Sequence, residues 1–433
     1  MYPSPPPLPE HAAGPSPYTY ADAHRGHRRW SAPWHSRTVR AVALAALLTL
    51  SGVLILGIVR RQTGTEGFLV GVGLAVFPVP LLIAAFCWLD RIEPEPWRNL
   101  AFAFAWGSCA ATLVAVLANG FATDWLANNI ASASPTEAQA WGSTVIAPIV
   151  EEVMKAAAVL LLYRFRRRDF DGITDGIVIA GITATGFAFT ENVLYLGSAF
   201  GEDQSMGHTG LNSLTAGTFF VRIVVSPFAH PLFTILTGLA VGAAAARYPR
   251  RRGARAGLVL LGLATAVLLH GIWNAASDLG DAGFLSVYGL FMVPVLLGLT
   301  WLALWARRQE LLSVREHLAP YVATGWLASP EPTALSSLRT RALARDIARR
   351  AHGPAAARAV TSYVALATAL SFHRRRARLT GPPPDFAARE RELLEGLWRH
   401  RPWAGPALLQ AWAGGTGMPG PAAPPAGEPR REP

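Results

Sequence analysis

Apolar residues run almost unbroken from Ala41 to Val59, and the same texture returns before Arg308 in further long runs separated by short polar connections. The runs cover about 41–59, 68–89, 100–121, 143–163, 176–200, 218–246, 256–276 and 283–306. Each is close to the roughly 20 helical residues that a bilayer core of about 30 Å requires. The pattern predicts an all-α fold, a polytopic membrane helix bundle of about eight transmembrane helices. Ahead of it, residues 1–38 are rich in Pro, His and Ser with no long apolar run, and read as a disordered cytoplasmic tail. A cleavable signal peptide needs an apolar stretch nearer the start, so the first run is expected to stay in the chain. Beyond Arg308 the chain turns polar. Helices are expected around 334–352, 355–376 and 384–399, within a small soluble helical cytoplasmic region over 309–412 that ends in a disordered tail, 413–433. The apolar patch from Ala359 to Phe372 is too short to span, and should pack that small bundle.

Charge orients the bundle. The connection 164–175 holds four arginines and 247–255 holds five, whereas 122–140, 201–217 and 277–282 hold none. Cytoplasmic loops carry the excess of Arg and Lys, so both termini are expected in the cytoplasm; only Arg60 and Arg61 disagree. The 433-residue chain is 51% hydrophobic and 15% charged, as membrane proteins are. Its net charge of +11 would suggest nucleic acid in a water-soluble protein. Here the arginines crowd beside apolar runs, which points to membrane anchoring and to no nucleic-acid partner. Cys87 and Cys109 fall inside apolar runs and read as small buried hydrophobes.

Four consecutive runs also carry ionisable residues. APIVEEVMKAAAV supplies Glu151, Glu152 and Lys155; GFAFTENVLYL supplies Glu191 beside Asn192; SPFAHPLFTILTG supplies His230; LLHGIWNAAS supplies His270, Trp273 and Asn274. A charge at mid-bilayer costs about 2.5–3.5 kcal/mol, so the first three residues would cost roughly 8–10 kcal/mol unpaired. Glu151 and Lys155, four apart, can pair on one helix face. At about 1.5 Å per residue, Glu151, Glu191, His230 and His270 all lie roughly 9–18 Å below the outer surface. One shared layer across four helices argues for a functional polar cavity over a pairing network that merely locks helices together. His270 and Asn274 share a face with Trp273 nearby, and Glu151 and Glu152 lie about 100° apart, so one can face the cavity while the other holds Lys155.

The set has the parts of a water-activating site. A buried glutamate can take a proton from water, while His270 and the Asn274 amide can donate to the oxyanion of an attacked carbonyl. The same inventory allows zinc, on His230 and His270 with Glu152 or Glu191, and another glutamate as base. No His-Glu-x-x-His helix is present, and the metal question stays open at this stage. In order, Glu151-Glu152-x-x-Lys155, Phe187-x-x-x-Glu191-Asn192, an isolated His230 and His270-x-x-Trp273-Asn274 resemble the PrsW family of intramembrane proteases. More distantly they are similar to the CAAX prenyl protease superfamily. Asp90-Arg91-Ile92-Glu93-Pro94-Glu95-Pro96, at the inner end of the second run, fits the PrsW pattern too.

The resemblance implies an endopeptidase in a bacterial plasma membrane, acting on a membrane-anchored protein such as an anti-sigma factor-like regulator. Its protease domain would occupy 39–308, with Glu151, Glu152, Glu191, His230, His270 and Asn274 as site residues and Lys155, Asn192 and Trp273 in support. The competing reading is a proton- or ion-coupled transporter, since buried Glu and His also build relays, although the first three runs hold no matching set. A non-catalytic scaffold would leave the costly polar layer unexplained. Asp169, Asp171 and Asp175 loosely suggest a calcium loop but lack its register, and read as a turn into the fifth run. Arg222 is expected to snorkel to the outer interface.

Overall fold

The computed structural model describes residues 5–7, 37–129, 135–166, 170, 172–247 and 251–416, and among these the chain is helical with no strand. Contacts divide it into two compact units. One comprises His27–Ala306; in the other, residues 5–7 group with the chain from Arg307 onward.

The first unit opens with α1 (Arg37–Ala75), followed by α2 (Pro78–Leu89), α3 (Trp97–Ala105), α4 (Thr112–Asn129), α5 (Pro135–Trp141) and α6 (Ala147–Phe165). It continues with α7 (Ile173–Met206), α8 (Leu214–Phe219), α9 (Ala229–Arg247), α10 (Arg252–Ala276) and α11 (Gly280–Val287), and enters α12 (Val293–Leu318). Six helical stretches are long and apolar enough to cross a membrane: Thr38–Leu89, Trp97–Asn129, Ile173–Met206, Leu214–Arg247, Arg252–Ala323 and Leu338–Leu379. They do not map one to one onto the eight expected runs. The first two runs fall in one bent stretch, because the expected outer loop at 60–67 stays helical and breaks only at Gly64 (φ 73°). A side chain strongly disfavours that backbone and glycine does not. The last two runs are likewise joined, while 143–163 is missing from the six because Glu151, Glu152 and Lys155 dilute its apolar character.

The hub of this unit is α7. Ile177, Val178, Ile179, Ala180, Ile182 and Ala184 are all buried, so the helix is covered on every side, and it packs on α1, α3, α6 and α9. Small residues set those distances. A Cβ on Gly107 would fall 1.9 Å from the Thr183 carbonyl oxygen, and one on Gly238 would fall 2.1 Å from that of Gly176. Where lipid supplies no hydrophobic drive between helices, such close backbone approach provides the packing energy.

Between α2 and α3 the turn at Asp90–Pro96 is tied internally. Asp90 accepts the Glu95 backbone N–H (2.7 Å), and Glu95 accepts the Asn99 amide (2.8 Å). Burial pushes the Asp90 carboxyl up to about 7, against the lowering effect of that backbone bond, with the charge of Asp175 adding to the rise. Asp175 itself accepts the Gly172 N–H (2.8 Å) and so closes the start of α7. The turn reading therefore holds for this aspartate; Asp169 and Asp171 lie outside the described residues.

The second unit comprises the end of α12, then α13 (Pro320–Ala323), α14 (Glu331–Leu335), α15 (Leu338–Thr380) and α16 (Phe386–Thr416). The two helices expected at 334–352 and 355–376 are one helix broken at Gly353 (φ 80°). After the break, Val360, Tyr363, Ala367 and Leu370 are fully buried at helical spacing, and α15 packs lengthwise on α16. That amphipathic face forms the seam of a helical pair, in a stretch that is also long and apolar enough to cross a membrane. Inside it, Glu390 is buried and accepts from the Tyr321 hydroxyl and from Arg374 (3.2 Å).

Candidate active site

Burial falls hardest on one turn of α6. Glu151, Glu152 and Lys155 are 5%, 0% and 0% exposed. The Lys155 ammonium donates to Glu152 Oε1 (2.9 Å), to Glu151 Oε2 (3.2 Å) and to His230 Nδ1 (3.1 Å) on α9, and lies 3.9 Å from the centre of the Phe187 ring. All three of its protons thus have acceptors, and an aromatic face covers its remaining side. Lys155 braces both glutamates, where the sequence paired it with Glu151.

The other oxygens of the pair lead to neighbouring helices. Glu152 Oε2 accepts the Thr234 hydroxyl (2.8 Å), and Glu152 Oε1 meets His270 Nδ1 (3.1 Å) on α10. Glu191 on α7 meets His230 Nε2 (2.6 Å). A carboxylate only accepts and an ammonium only donates, so these partners assign the tautomers. His270 carries its proton on Nδ1 and His230 on Nε2. The remaining lone pairs, His270 Nε2 and His230 Nδ1, are turned toward Glu151 and Lys155, with His270 Nε2 3.8 Å from Glu151 Oε2. The imidazoles cross at right angles 5.2 Å apart, and His270 stacks on Phe233.

A cavity of about 550 Å³ opens beside this cluster. Glu151, Glu191, His230, Asn192, Trp273 and Asn274 are on its wall. Glu152, Lys155 and His270 sit behind Glu151 and do not line it. Asn274 lies at the rim with its amide donated to the Ser143 carbonyl (2.8 Å), and Trp273 packs against Phe284 and Tyr288. Neither the His270 N–H nor that Asn274 N–H is free in this arrangement to meet an oxyanion, the role the sequence suggested for them.

Arg222 is where the structure corrects the sequence reading. It does not snorkel outward. Its Nε donates to Asn192 (2.8 Å), a terminal nitrogen pairs with Glu191, and the guanidinium lies 3.9 Å over the Tyr195 ring, on the cavity wall. A π-helical turn at Phe220–Val225, ending at Ser226 before Pro227, carries it there. Glu191 is therefore shared between Arg222 and His230. The cost that singled out the glutamates applies equally to a lone arginine in FFVRIVV, and that signal was available in the sequence.

Glu151, His230 and His270 each offer a donor atom within 4.8 Å of the others, the arrangement among the described residues that can hold a metal ion. The sequence placed Glu152 or Glu191 beside the histidines. Here those two carboxylates lie on the far ring nitrogens, where they orient the imidazoles.

Residues 95–299 match the family model described as PrsW family intramembrane metalloprotease. Over 200 residues the chain is 26% identical to Protease PrsW of Clostridioides difficile, covering 45% of this chain and 75% of that relative. No solved structure matches. The transporter reading is not favoured. Every residue of the glutamate–histidine cluster falls within the matched stretch, and over that stretch the chain is similar to the PrsW family of intramembrane proteases.

Proposed function

We propose that the domain hydrolyses a peptide bond in a membrane-anchored protein, with Glu151 as the carboxylate that meets the attacking water. The observation behind this is the split between the paired glutamates: Glu151 faces the cavity, whereas Glu152 is enclosed and spent on Lys155, Thr234 and His270. A water beside Glu151 and the His270 Nε2 lone pair would donate to both, leaving its own lone pair for the carbonyl carbon. Glu151 takes the proton and can return it to the leaving amine. Arg222, the cationic side chain on the cavity wall, is the donor we assign to the carbonyl oxygen.

The donor set also fits a metal ion. Two imidazoles, each with a carboxylate on its far nitrogen, and one carboxylate open to a cavity are the usual surroundings of a catalytic divalent metal such as zinc. Glu151, His230 and His270 would hold it. A formal count supports a further positive charge: three carboxylates face the two cations Lys155 and Arg222, leaving one negative charge uncompensated. Binding requires Lys155 to give up its contacts with His230 and Glu151 and keep Glu152. A bound metal would supply acidified water and a polarised carbonyl.

A bacterial plasma membrane and an anti-sigma factor-like substrate complete the reading, as the family resemblance implies. Both chain ends are assigned to the cytoplasm. In support, Pro7 near the start accepts a hydrogen bond from Trp326 in the second unit, as expected if the two share one side of the bilayer.

Cleavage of single-pass membrane proteins by the purified chain tests this reading. Glu151→Gln and His270→Ala should lose at least a hundredfold in rate while retaining the wild-type melting temperature to within a few degrees. Folded variants that cut like wild type would refute it. Elemental analysis with chelation decides the metal: full activity in metal-free protein removes that version and leaves the glutamate–water one.

A further inference from the structure

Trp326 belongs to no part of the protease site. It is 3% exposed, yet its indole N–H points out of the second unit's core and donates to the carbonyl of Pro7 at 3.2 Å. Trp398 packs edge-on against it at 5.6 Å, and Arg401 lies over the Trp398 ring while donating to the Gly325 carbonyl (3.1 Å). Gly325, held at φ 78°, presents its bare backbone to Pro6; a Cβ there would stand 3.7 Å from the Pro6 ring. Of the three described prolines, Pro5 and Pro7 are exposed and Pro6 is half-buried, so the middle ring is the one inserted. A cavity of about 600 Å³ adjoins, lined by Trp398, Arg401 and Trp403.

This is the chemistry by which aromatic grooves read polyproline II segments: an indole N–H takes a proline carbonyl, which no proline N–H can satisfy, and flat rings take the pyrrolidines. The N-terminal sequence MYPSPPPLPEH has the matching periodicity. Polyproline II has three residues per turn, a period at which Pro3, Pro6 and Pro9 recur in the sequence, and among the described residues Pro6 is the one seated. We propose that the Trp326–Trp398–Gly325 surface is a polyproline-reading groove whose occupant is this chain's own N-terminal proline segment, which latches the tail onto the C-terminal unit. Because the segment belongs to the same chain, binding is intramolecular and a weak contact suffices.

The test uses the full chain in detergent and a fluorescent peptide of residues 1–12, read by anisotropy. In wild type the groove is filled, and added peptide should bind weakly. In a full chain carrying Pro5→Ala, Pro6→Ala and Pro7→Ala the groove is vacated, and the same peptide should bind at least tenfold more tightly. A peptide with all its prolines changed to alanine should bind neither protein. Adding Trp326→Phe to the vacated chain keeps the ring and removes the N–H, and should weaken binding roughly three- to tenfold. Equal binding of the proline peptide to wild-type and vacated chains overturns the proposal, as does no binding to the vacated chain. Alanine-peptide binding as tight as that of the proline peptide also overturns it, and this comparison holds even if the Trp326 variant fails to fold. No arm depends on proteolysis, so its failure leaves the protease reading untouched.

Discussion

Arg222 is the residue whose environment differs most from its sequence appearance. By pairing with Glu191 and Asn192 it holds the carboxylate that orients His230. Arg222→Gln should therefore lower kcat at least tenfold, and Arg222→Lys should recover part of that by keeping the charge while losing the fork. A change in KM alone, with kcat intact, would mean that Arg222 only binds substrate. Asp90 gives a pH signature outside the membrane. Its folded carboxyl titrates near 7, above the ordinary 3.8, so the folded state holds the extra proton between those values. Stability should fall as pH rises from about 4 to about 7, and Asp90→Asn should flatten that slope in melting curves at pH 5 and 7.5. The polar stations were legible in the sequence because each is expensive in lipid. Which glutamate faces the cavity was not, because the rotation of α6 is fixed by Thr234, His230 and His270 on other helices.

Among the elements, α7 decides whether the site assembles. Its contact with α9 brings Glu191 to His230, and the Gly176–Gly238 approach sets that contact. Gly238→Val should cost about 3 kcal/mol or more, since the new side chain meets backbone that has nowhere to go. Gly253→Ala on α10, with open space around it, should be neutral or slightly stabilising. Chemical denaturation of the two variants separates these outcomes, and equal stability would show that close approach is not what joins α7 to α9. The runs of apolar residues announced these helices, but their bends were not visible: α1 continues through the charged residues at 60 and 61 and turns at Gly64 instead.

At the scale of the whole molecule, the glutamate–histidine cluster lies wholly in the first unit, and the second unit meets the chain's own beginning through Trp326 and Pro7. The contact between Trp326 and Pro7 predicts that these two lie on the same side of the bilayer. Tags at residue 1 and in the turn at 324–329 should both be protected from, or both be open to, protease added to sealed inverted vesicles, and opposite behaviour would break that prediction. The sequence also marked the module correctly in one detail, because Gly353 and Pro354 divide the two expected helices where the structure breaks one.

Hydropathy and spacing alone determined that the chain is a helical membrane bundle, which segments are apolar, and that glutamates and histidines recur in consecutive apolar segments. These are properties of residues close in the chain, and the cost of a charge in lipid is the same whatever surrounds it. Tertiary structure alone decided that Glu151 faces the cavity, that Glu152 and Glu191 orient the histidines, and that Arg222 turns inward. Those outcomes depend on helix rotation, which is set by partners 30 to 118 residues away along the chain, and no local pattern encodes it.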